Sequence, residues 1–121
     1  MWDVTFYSVE QAYQWRKCTF HHKTNKAKTI LKLSDPYRIK AVGTFTTAPE
    51  WDRKKAEFML ELLLIKAKVC PLFKELLINS FPKVLVEDTA NDYWGRGANG
   101  EGANTLGCLL IHIRSILLSN S

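Results

Sequence analysis

The stretch that decides the fold runs from Ala48 to Ala67 and reads APEWDRKKAEFMLELLLIKA. Its apolar residues recur at intervals of three and four positions, which is the spacing of one buried face on an α-helix. The residues on that face are Ala56, Met59, Leu60, Leu63, Leu64 and Ala67. Pro49 near the start favours a first helical turn. We therefore predict a long helix here, the strongest in the chain.

Shorter elements are predicted on both sides of this helix from capping residues, prolines and periodicity. Ser8 and Gln11 form a capping box that starts the first helix, and Asn104 can cap the last. The predicted segments are a strand over 2–7, helices from Ser8, over 25–33, from Asp35-Pro36 to Gly43 and from Pro71 to Phe81, a short buried strand over 83–87, and a final helix after Asn104. We expect one α+β domain over 1–121, predominantly helical, with a few short strands.

The composition is typical of a globular protein that does not cross a membrane. The hydrophobic fraction of 46% contains no apolar run long enough to span a bilayer. The N-terminus does not resemble a secretory signal, and three widely spaced cysteines favour a reducing compartment. We expect an intracellular, cytoplasmic protein. Cys18 with His21-His22 lacks the second pair of ligands that a metal site needs, so no metal is predicted.

Basic residues are concentrated between residues 16 and 40, where Asp35 is the only acidic residue. Such a field attracts phosphates, either of a nucleotide or of DNA or RNA. A solvated basic surface explains the pattern equally well, because no aromatic residues interleave with the lysines as a stacking platform. A contact with DNA or RNA through this stretch is therefore one open alternative.

A glycine-rich loop over 94–103 precedes the last helix. Its sequence Gly95-Arg96-Gly97-Ala98-Asn99-Gly100 fits the G-x-G-x-x-G pattern, but the preceding strand ends too early and the second, acidic strand is missing. Two interpretations stay open. The glycines form a tight irregular loop, or they expose backbone N–H groups beside a helix N-terminus, where Arg96 would help to bind phosphate.

The chain contains the residue types that hydrolysis of a ribose N-glycosidic bond requires. Carboxylates stabilise the oxocarbenium-like transition state and activate water, while aromatic rings hold the base and cations hold phosphates. The candidates are the carboxylates Glu10, Glu87, Asp88 and Asp92, the rings Trp51 and Trp94, and the cations Lys17 and Arg96. Glu10 shares a helix face with Tyr13, Gln14 and Lys17, a polar stripe typical of a cleft wall. The helix dipole explains Glu10 equally well, and core packing explains Trp51.

The segment Ser8–Lys17 resembles the T-x-E-H-x-Y-Q-x-x-K motif of the NADAR domain, also called the YbiA-like family. Similar blocks follow in the family's order across nearly the whole chain. They are Pro36 with Ala41-Val42-Gly43, Trp51 with Met59, Val86-Glu87-Asp88, the run from Asp92 to Gly97, the run from Asn104 to Gly107, and Ile113-Arg114. Two departures are Gln11 in place of the family's histidine and a start later than the family's usual N-terminal strand and loop.

The resemblance implies an N-glycosidase that needs no metal or cofactor. Its substrates would be ADP-ribosylated guanine or phosphoribosylamino-pyrimidine intermediates of riboflavin biosynthesis. The implied catalytic residues are Glu10, Asp92 and Trp51, and the implied substrate-binding residues are Tyr13, Gln14, Lys17, Glu87, Trp94, Gly95, Arg96, Gly97 and Asn104. Because part of the pocket would be missing from a short member, the alternative is a non-catalytic module that binds ADP-ribose or a nucleotide.

Overall fold

The computed structural model describes residues 6–120, and its regular structure is helical. The helices are α1 (Val9–Phe20), α2 (Thr24–Leu31), α3 (Pro36–Val42), α4 (Pro49–Val69), α5 (Pro71–Asn79) and α6 (Thr105–Ser119). The chain divides into two compact units, which we call unit 1 (Met1–Leu62) and unit 2 (Leu63–Ser121). Within residues 6–120, no helix is both long enough and apolar enough to cross a membrane.

The predicted helices are confirmed, but the predicted short strands are not. The segment 83–87 forms no strand, because its backbone bonds the side chain of Asn104 and the N–H of Arg96 rather than a neighbouring strand. The strand predicted over 2–7 lies largely outside the described residues, and Phe6 and Tyr7 are not in a strand. The described part of the chain is therefore predominantly helical.

Helix α1 begins at the predicted capping box. The Ser8 hydroxyl accepts a hydrogen bond from the Gln11 N–H at 3.1 Å. The Gln11 side chain then reaches further than a capping box requires. Its Oε1 accepts from the Tyr7 N–H at 2.6 Å, and its Nε2 donates to the carbonyls of Ile30 at 3.1 Å and Leu33 at 2.9 Å. This buried amide therefore joins the start of α1 to the end of α2.

Helix α1 ends in a Schellman turn whose left-handed residue is a histidine. The His22 N–H donates to the Thr19 carbonyl at 3.1 Å, and the Lys23 N–H donates to the Cys18 carbonyl at 2.8 Å. His22 has a φ of 59°. Glycine is usual at this position, because a β-carbon is crowded in the left-handed conformation. The turn reverses the chain. Helix α2 then starts at Thr24 and packs on α1.

The core of unit 1 lies between α1, α2 and α3. The buried residues there are Cys18, Ala27, Ile30 and Ile39, with Trp15, Leu33, Val42 and Phe45 packed against them. On α4 the predicted buried face is confirmed at Met59, Leu63 and Ala67. Ala56, Leu60 and Leu64 are only half-buried, and Leu62 is buried in addition. The face of α4 is thus rotated slightly from the predicted one.

In unit 2, helices α5 and α6 pack together. Leu77 and Ile113 are buried, and so is the charged Arg114, which is 5% exposed. Its Nη1 donates to the Ser80 hydroxyl at 3.0 Å and to the Lys83 carbonyl at 2.8 Å. Arg114 therefore ties α6 to the turn that leads into segment 83–87.

We expect His22→Gly to raise the free energy of unfolding by about 1 kcal/mol, because it removes the crowded β-carbon from the Schellman turn. Urea denaturation measures the change. His22→Ala, which keeps the β-carbon, is the matched control and should change stability by less than about 0.5 kcal/mol. A destabilised glycine variant would show that the left-handed turn is not strained.

Candidate functional site

The residues predicted for the site lie on both units. Unit 1 carries Glu10, Tyr13, Gln14, Lys17 and Trp51, and unit 2 carries Glu87, Asp92, Trp94, Gly95, Arg96, Gly97 and Asn104. In unit 1 they belong to α1 and to the first turn of α4. In unit 2 they belong to the segment between α5 and α6. Each set has its own local geometry.

The Glu10 carboxylate is held by the amide of Gln14. Gln14 Nε2 donates to Glu10 Oε1 at 3.1 Å, one helical turn away on the same face. Glu10 is half-buried and Gln14 is 6% exposed. Gln14 Oε1 is buried without a hydrogen-bond partner among residues 6–120. An unpaired buried acceptor destabilises the fold by about 1–3 kcal/mol. The orientation of Gln14 that lets its Nε2 donate to Glu10 therefore leaves Oε1 unpaired at this cost.

Gly43 leaves the space that Gln14 occupies. A β-carbon at Gly43 would overlap the Gln14 Oε1 atom, and it would lie 3.2 Å from Gln14 Cβ. The φ of Gly43 is −79°, so the backbone itself would accept other residues. The glycine is therefore required by the Gln14 side chain, and through it by the position of Glu10.

Lys17 follows on the same face of α1. Its Nζ donates to the Gly43 carbonyl at 2.7 Å and lies 4.9 Å from the centroid of the Phe45 ring. Burial lowers the pKa of the Lys17 ammonium below its ordinary value of 10.5, against the opposing effect of the Asp52 and Glu10 carboxylates. Unit 1 thus presents a carboxylate and a partly dehydrated ammonium on one helix face.

His21 completes the attachment of the loop between α3 and α4. Its Nε2 accepts from the Ala48 N–H at 2.9 Å, so Nδ1 carries the proton and donates to the Lys17 carbonyl at 2.7 Å. Both ring nitrogens are therefore engaged by backbone groups. Within residues 6–120, no group of three or more His, Cys, Asp or Glu side chains could hold a metal ion.

Trp51 lies in the core of unit 1 rather than on a surface. It is 1% exposed, and its ring stacks on Phe58 with centroids 5.1 Å apart. Tyr13 and Phe20 pack against the same ring at 5.5 Å and 5.3 Å. Of the two interpretations of Trp51, core packing describes this ring, and a base could not stack on it as it stands. A catalytic role for Trp51 stays a prediction. In such a role Trp51 would position the side chains that pack against it.

The glycine-rich loop of unit 2 uses its backbone N–H groups internally. The donors from Arg96, Gly97 and Gly102 bond the carbonyls of Glu87, Thr89 and Arg96 at 2.9, 3.0 and 2.6 Å. The first N–H groups of α6, from Thr105 and Leu106, bond the carbonyls of Tyr93 and Trp94, each at 3.0 Å. These donors are therefore not exposed to a phosphate, which favours the tight irregular loop. Phosphate binding elsewhere in the loop stays a prediction.

Close packing inside the loop explains three of its four glycines, Gly95, Gly97 and Gly102. A β-carbon at Gly95 would overlap the Thr89 hydroxyl, and one at Gly102 would lie 2.5 Å from the Gly95 carbonyl oxygen. Gly97 has a φ of 75°, and its β-carbon would overlap the Oδ1 atom of Asp92. The candidate carboxylate of Asp92 thus rests against Gly97. The spacing that resembles a dinucleotide fingerprint comes from close packing at Gly95 and Gly97 and from the positive φ of Gly100.

Asn104 stands at the N-cap of α6, but its side chain makes no capping hydrogen bond. The predicted capping bond is wrong because carbonyls of the loop already bond the first N–H groups of the helix. Its amide instead clamps the segment before the loop. Oδ1 accepts from the Glu87 N–H at 2.8 Å, and Nδ2 donates to the Leu85 carbonyl at 3.0 Å. Asn104 thereby fixes the backbone of the half-buried Glu87.

The remaining side chains of this loop have local partners. Arg96 Nε lies 2.8 Å from Asp88 Oδ1, in an exposed ion pair of a type that contributes about 0–1 kcal/mol. Trp94 is half-buried and packs edge-on against Tyr93, with centroids 4.8 Å apart. Substrate contacts by Arg96 and Trp94 stay predictions.

Sequence reasoning did not assign Gly43, His21 or Phe45 to the site. The signal for His21 was present, because it continues the spacing of Glu10, Gln14 and Lys17 along one face of α1. The sequence marks Gly43 only as a helix end and as part of a family block, and no local pattern marks Phe45, because the contacts of both residues come from a distant segment.

Comparison with known proteins identifies the chain's relatives. The model of the NADAR domain family matches residues 1–118. The chain belongs to the NADAR family. A solved relative, the NMR structure of Escherichia coli YbiA, superimposes with a TM-score of 0.75 at 28% identity, covering 93% of this chain and 67% of that one.

The NADAR relatives are named as N-glycosidases or as riboflavin biosynthesis proteins. The riboflavin biosynthesis protein PYRR of Arabidopsis thaliana is 40% identical over 84% of this chain and 21% of its own length. The N-glycosidase YbiA of Escherichia coli is 35% identical, over 73% of this chain and 58% of its own. An N-glycosidase of Nostoc punctiforme is 30% identical over 93% of this chain and 74% of its own length. The chain therefore spans less than two thirds of the first two proteins.

We expect Gly43→Ala to lower the free energy of unfolding by about 1–3 kcal/mol, because its β-carbon collides with the buried Gln14 amide. In a double-mutant cycle, Gln14→Ala should remove this collision. The Gly43→Ala/Gln14→Ala variant should therefore be more stable than the sum of the two single effects predicts. Additive effects in urea denaturation would show that Gly43 does not act through Gln14.

Gly97 and Gly100 allow a matched test in the loop, because their φ values are 75° and 76°. Each alanine substitution should cost about 1 kcal/mol in backbone strain. Gly97→Ala should in addition displace the Asp92 carboxylate, whereas the space around Gly100 is open. The carbon-13 chemical shift of the Asp92 carboxyl group reports the displacement. An equal shift in both variants would contradict the contact.

Proposed function

We propose that this NADAR domain hydrolyses the N-glycosidic bond of a ribosylated base. The substrate is ADP-ribosylated guanine or a phosphoribosylamino-pyrimidine of riboflavin biosynthesis. The observation that carries the proposal is the half-buried Glu10 carboxylate, oriented by Gln14, in a chain whose relatives are named N-glycosidases. The name of the plant relative supports the pyrimidine substrate.

In the proposed reaction, the bond between ribose C1′ and the base nitrogen breaks, and a water oxygen bonds to C1′. The ribose becomes positively charged as the bond breaks, and the Glu10 carboxylate stabilises this charge. The water loses one proton, and the leaving nitrogen gains one. A second carboxylate, for which the family resemblance nominates Asp92, would carry the proton.

The neighbours of Glu10 are suited to this role. Gln14 engages one carboxylate oxygen, Oε1, and so orients the second oxygen. The Gln14 amide cannot rotate freely, because Gly43 and the helix enclose it. A preorganised carboxylate needs little rearrangement when charge develops on the substrate.

We expect Glu10→Gln to reduce base release about 100-fold or more while the free energy of unfolding stays within about 1 kcal/mol of the wild type. The assay is chromatographic detection of base released from ADP-ribosylated guanine in DNA, from the free nucleoside and from the riboflavin intermediates. Glu57→Gln, at an exposed glutamate of α4, is the matched control and should leave release unchanged.

Two outcomes would contradict the proposal. Unchanged release by Glu10→Gln would remove Glu10 from the mechanism. Calorimetric binding of ADP-ribose without base release from any of these substrates would instead assign the chain to the alternative, a nucleotide-binding module without turnover.

A further inference from the structure

Three lysine ammonium groups surround one aromatic ring in unit 1. The Nζ atoms of Lys17 and Lys23 each lie 4.9 Å from the centroid of Phe45, and that of Lys26 lies 6.0 Å away. No two of these ammonium groups can therefore be more than about 11 Å apart. We call these three lysines and Phe45 the lysine cluster.

No ion pair joins a lysine of the cluster to a carboxylate within the described part of the chain, although Asp52 and Glu10 act on Lys17 at longer range. The ion pairs there join Arg38 to Asp35, Arg53 to Glu50, Lys55 to Asp52, and Arg96 to Asp88. Lys17 and Lys26 donate instead to main-chain carbonyls, those of Gly43 at 2.7 Å and Val42 at 3.5 Å. Contacts with a ring face favour cations but do not neutralise them.

The same three lysines also lie near the buried Cys18 thiol. Burial raises the pKa of Cys18 above its ordinary value of 9.0, while Lys17, Lys26 and Lys23 all act to lower it. The cluster is therefore concentrated around one point at the junction of α1 and α2. It differs from a solvated basic face, whose charges spread over the surface.

The fold holds the lysine cluster in place. The Schellman turn at His22 sets Lys23 at the N-cap of α2, and Lys26 follows within the first turns of that helix. The His21 ring packs edge-on against Phe45 with centroids 5.1 Å apart, and its bond to Ala48 fixes the loop that carries Phe45. Binding an anion would therefore need little ordering of the backbone.

We propose that the lysine cluster binds a phosphate group of the ribosylated substrate, which places the substrate's phosphate beside the α1 face that carries Glu10. This inference rests on the proposed function. Phosphate suits the cluster because it carries up to two negative charges and offers several acceptor oxygens to ammonium donors. The lysines are half-buried and gathered on one ring, a geometry that fits a compact phosphate of a small ligand.

The test is calorimetric binding of ADP-ribose and of inorganic pyrophosphate to the whole chain at constant salt. The Lys23→Gln/Lys26→Gln variant should bind both about tenfold more weakly or worse, the effect of losing one charge-assisted hydrogen bond. Lys28→Gln/Lys32→Gln is the matched control, because it removes the same charge from exposed positions in and just after α2. It should change either affinity by less than about twofold.

Equal losses in the two variants would overturn the proposal, because they would show that only the general basic field matters. Unchanged affinity in the Lys23→Gln/Lys26→Gln variant would overturn it as well. So would an unmodified DNA oligonucleotide that competes with ADP-ribose for the cluster and binds more tightly, since the site would then serve the nucleic-acid backbone.

The failure of this inference can be distinguished from failure of the proposed function. Glu10→Gln should keep the affinity for pyrophosphate while losing base release. A chain that binds pyrophosphate through Lys23 and Lys26 but releases no base retains the phosphate site without the enzyme activity. If the wild-type chain releases base but the two double variants bind pyrophosphate with equal affinity, the chain has the enzyme activity without the proposed phosphate site.

Discussion

The geometry of unit 1 depends on the buried amide of Gln11. Its Nε2 donates two hydrogen bonds and its Oε1 accepts one, and together they join the chain before α1, the start of α1 and the end of α2. A buried amide without these partners would cost several kcal/mol, so the three segments must stay together. Glu10 is the adjacent residue, and its place at the start of α1 follows from this constraint. The family motif has histidine at this position, and glutamine here supplies two donors and an acceptor for the same junction.

The polar residues further along α1 hold the loop between α3 and α4 at Gly43 and Ala48. Gln14 packs on Gly43, Lys17 bonds its carbonyl, and His21 bonds the N–H of Ala48. A polar helix face would ordinarily face solvent. Here the side chains of Lys17 and His21 bond main-chain groups. The groups left to act on a substrate are the Glu10 carboxylate and the positive charge of Lys17. The cost is visible in the unpaired Gln14 oxygen.

The sequence predicted elements that local contacts determine. Ser8, Asp35 and Pro71 mark helix starts because their effects act within about one helical turn. The Asn104 clamp could not be predicted, because its partners lie 17 and 19 residues earlier in the chain. The glycine loop was ambiguous for the same reason. Its glycines predict that another group comes close to the backbone, but the sequence does not say whether that group is a phosphate or another part of the loop. The structure shows that it is another part of the loop. Residue type and the family resemblance nominated both Glu10 and Trp51, and their burial differs, because Glu10 is half-buried whereas Trp51 is 1% exposed.

The self-contained bonding of the glycine loop has a consequence for engineering. Residues 98–101 are all exposed, and the bonds from Gly102 to Arg96 and from Ala103 to Asp92 close the loop beneath them. Extra residues inserted at this tip would leave those closing bonds intact. The entropic penalty grows slowly, by about 0.6 kcal/mol for each doubling of loop length. The tip is therefore a suitable attachment point for a peptide tag or a fluorescent reporter.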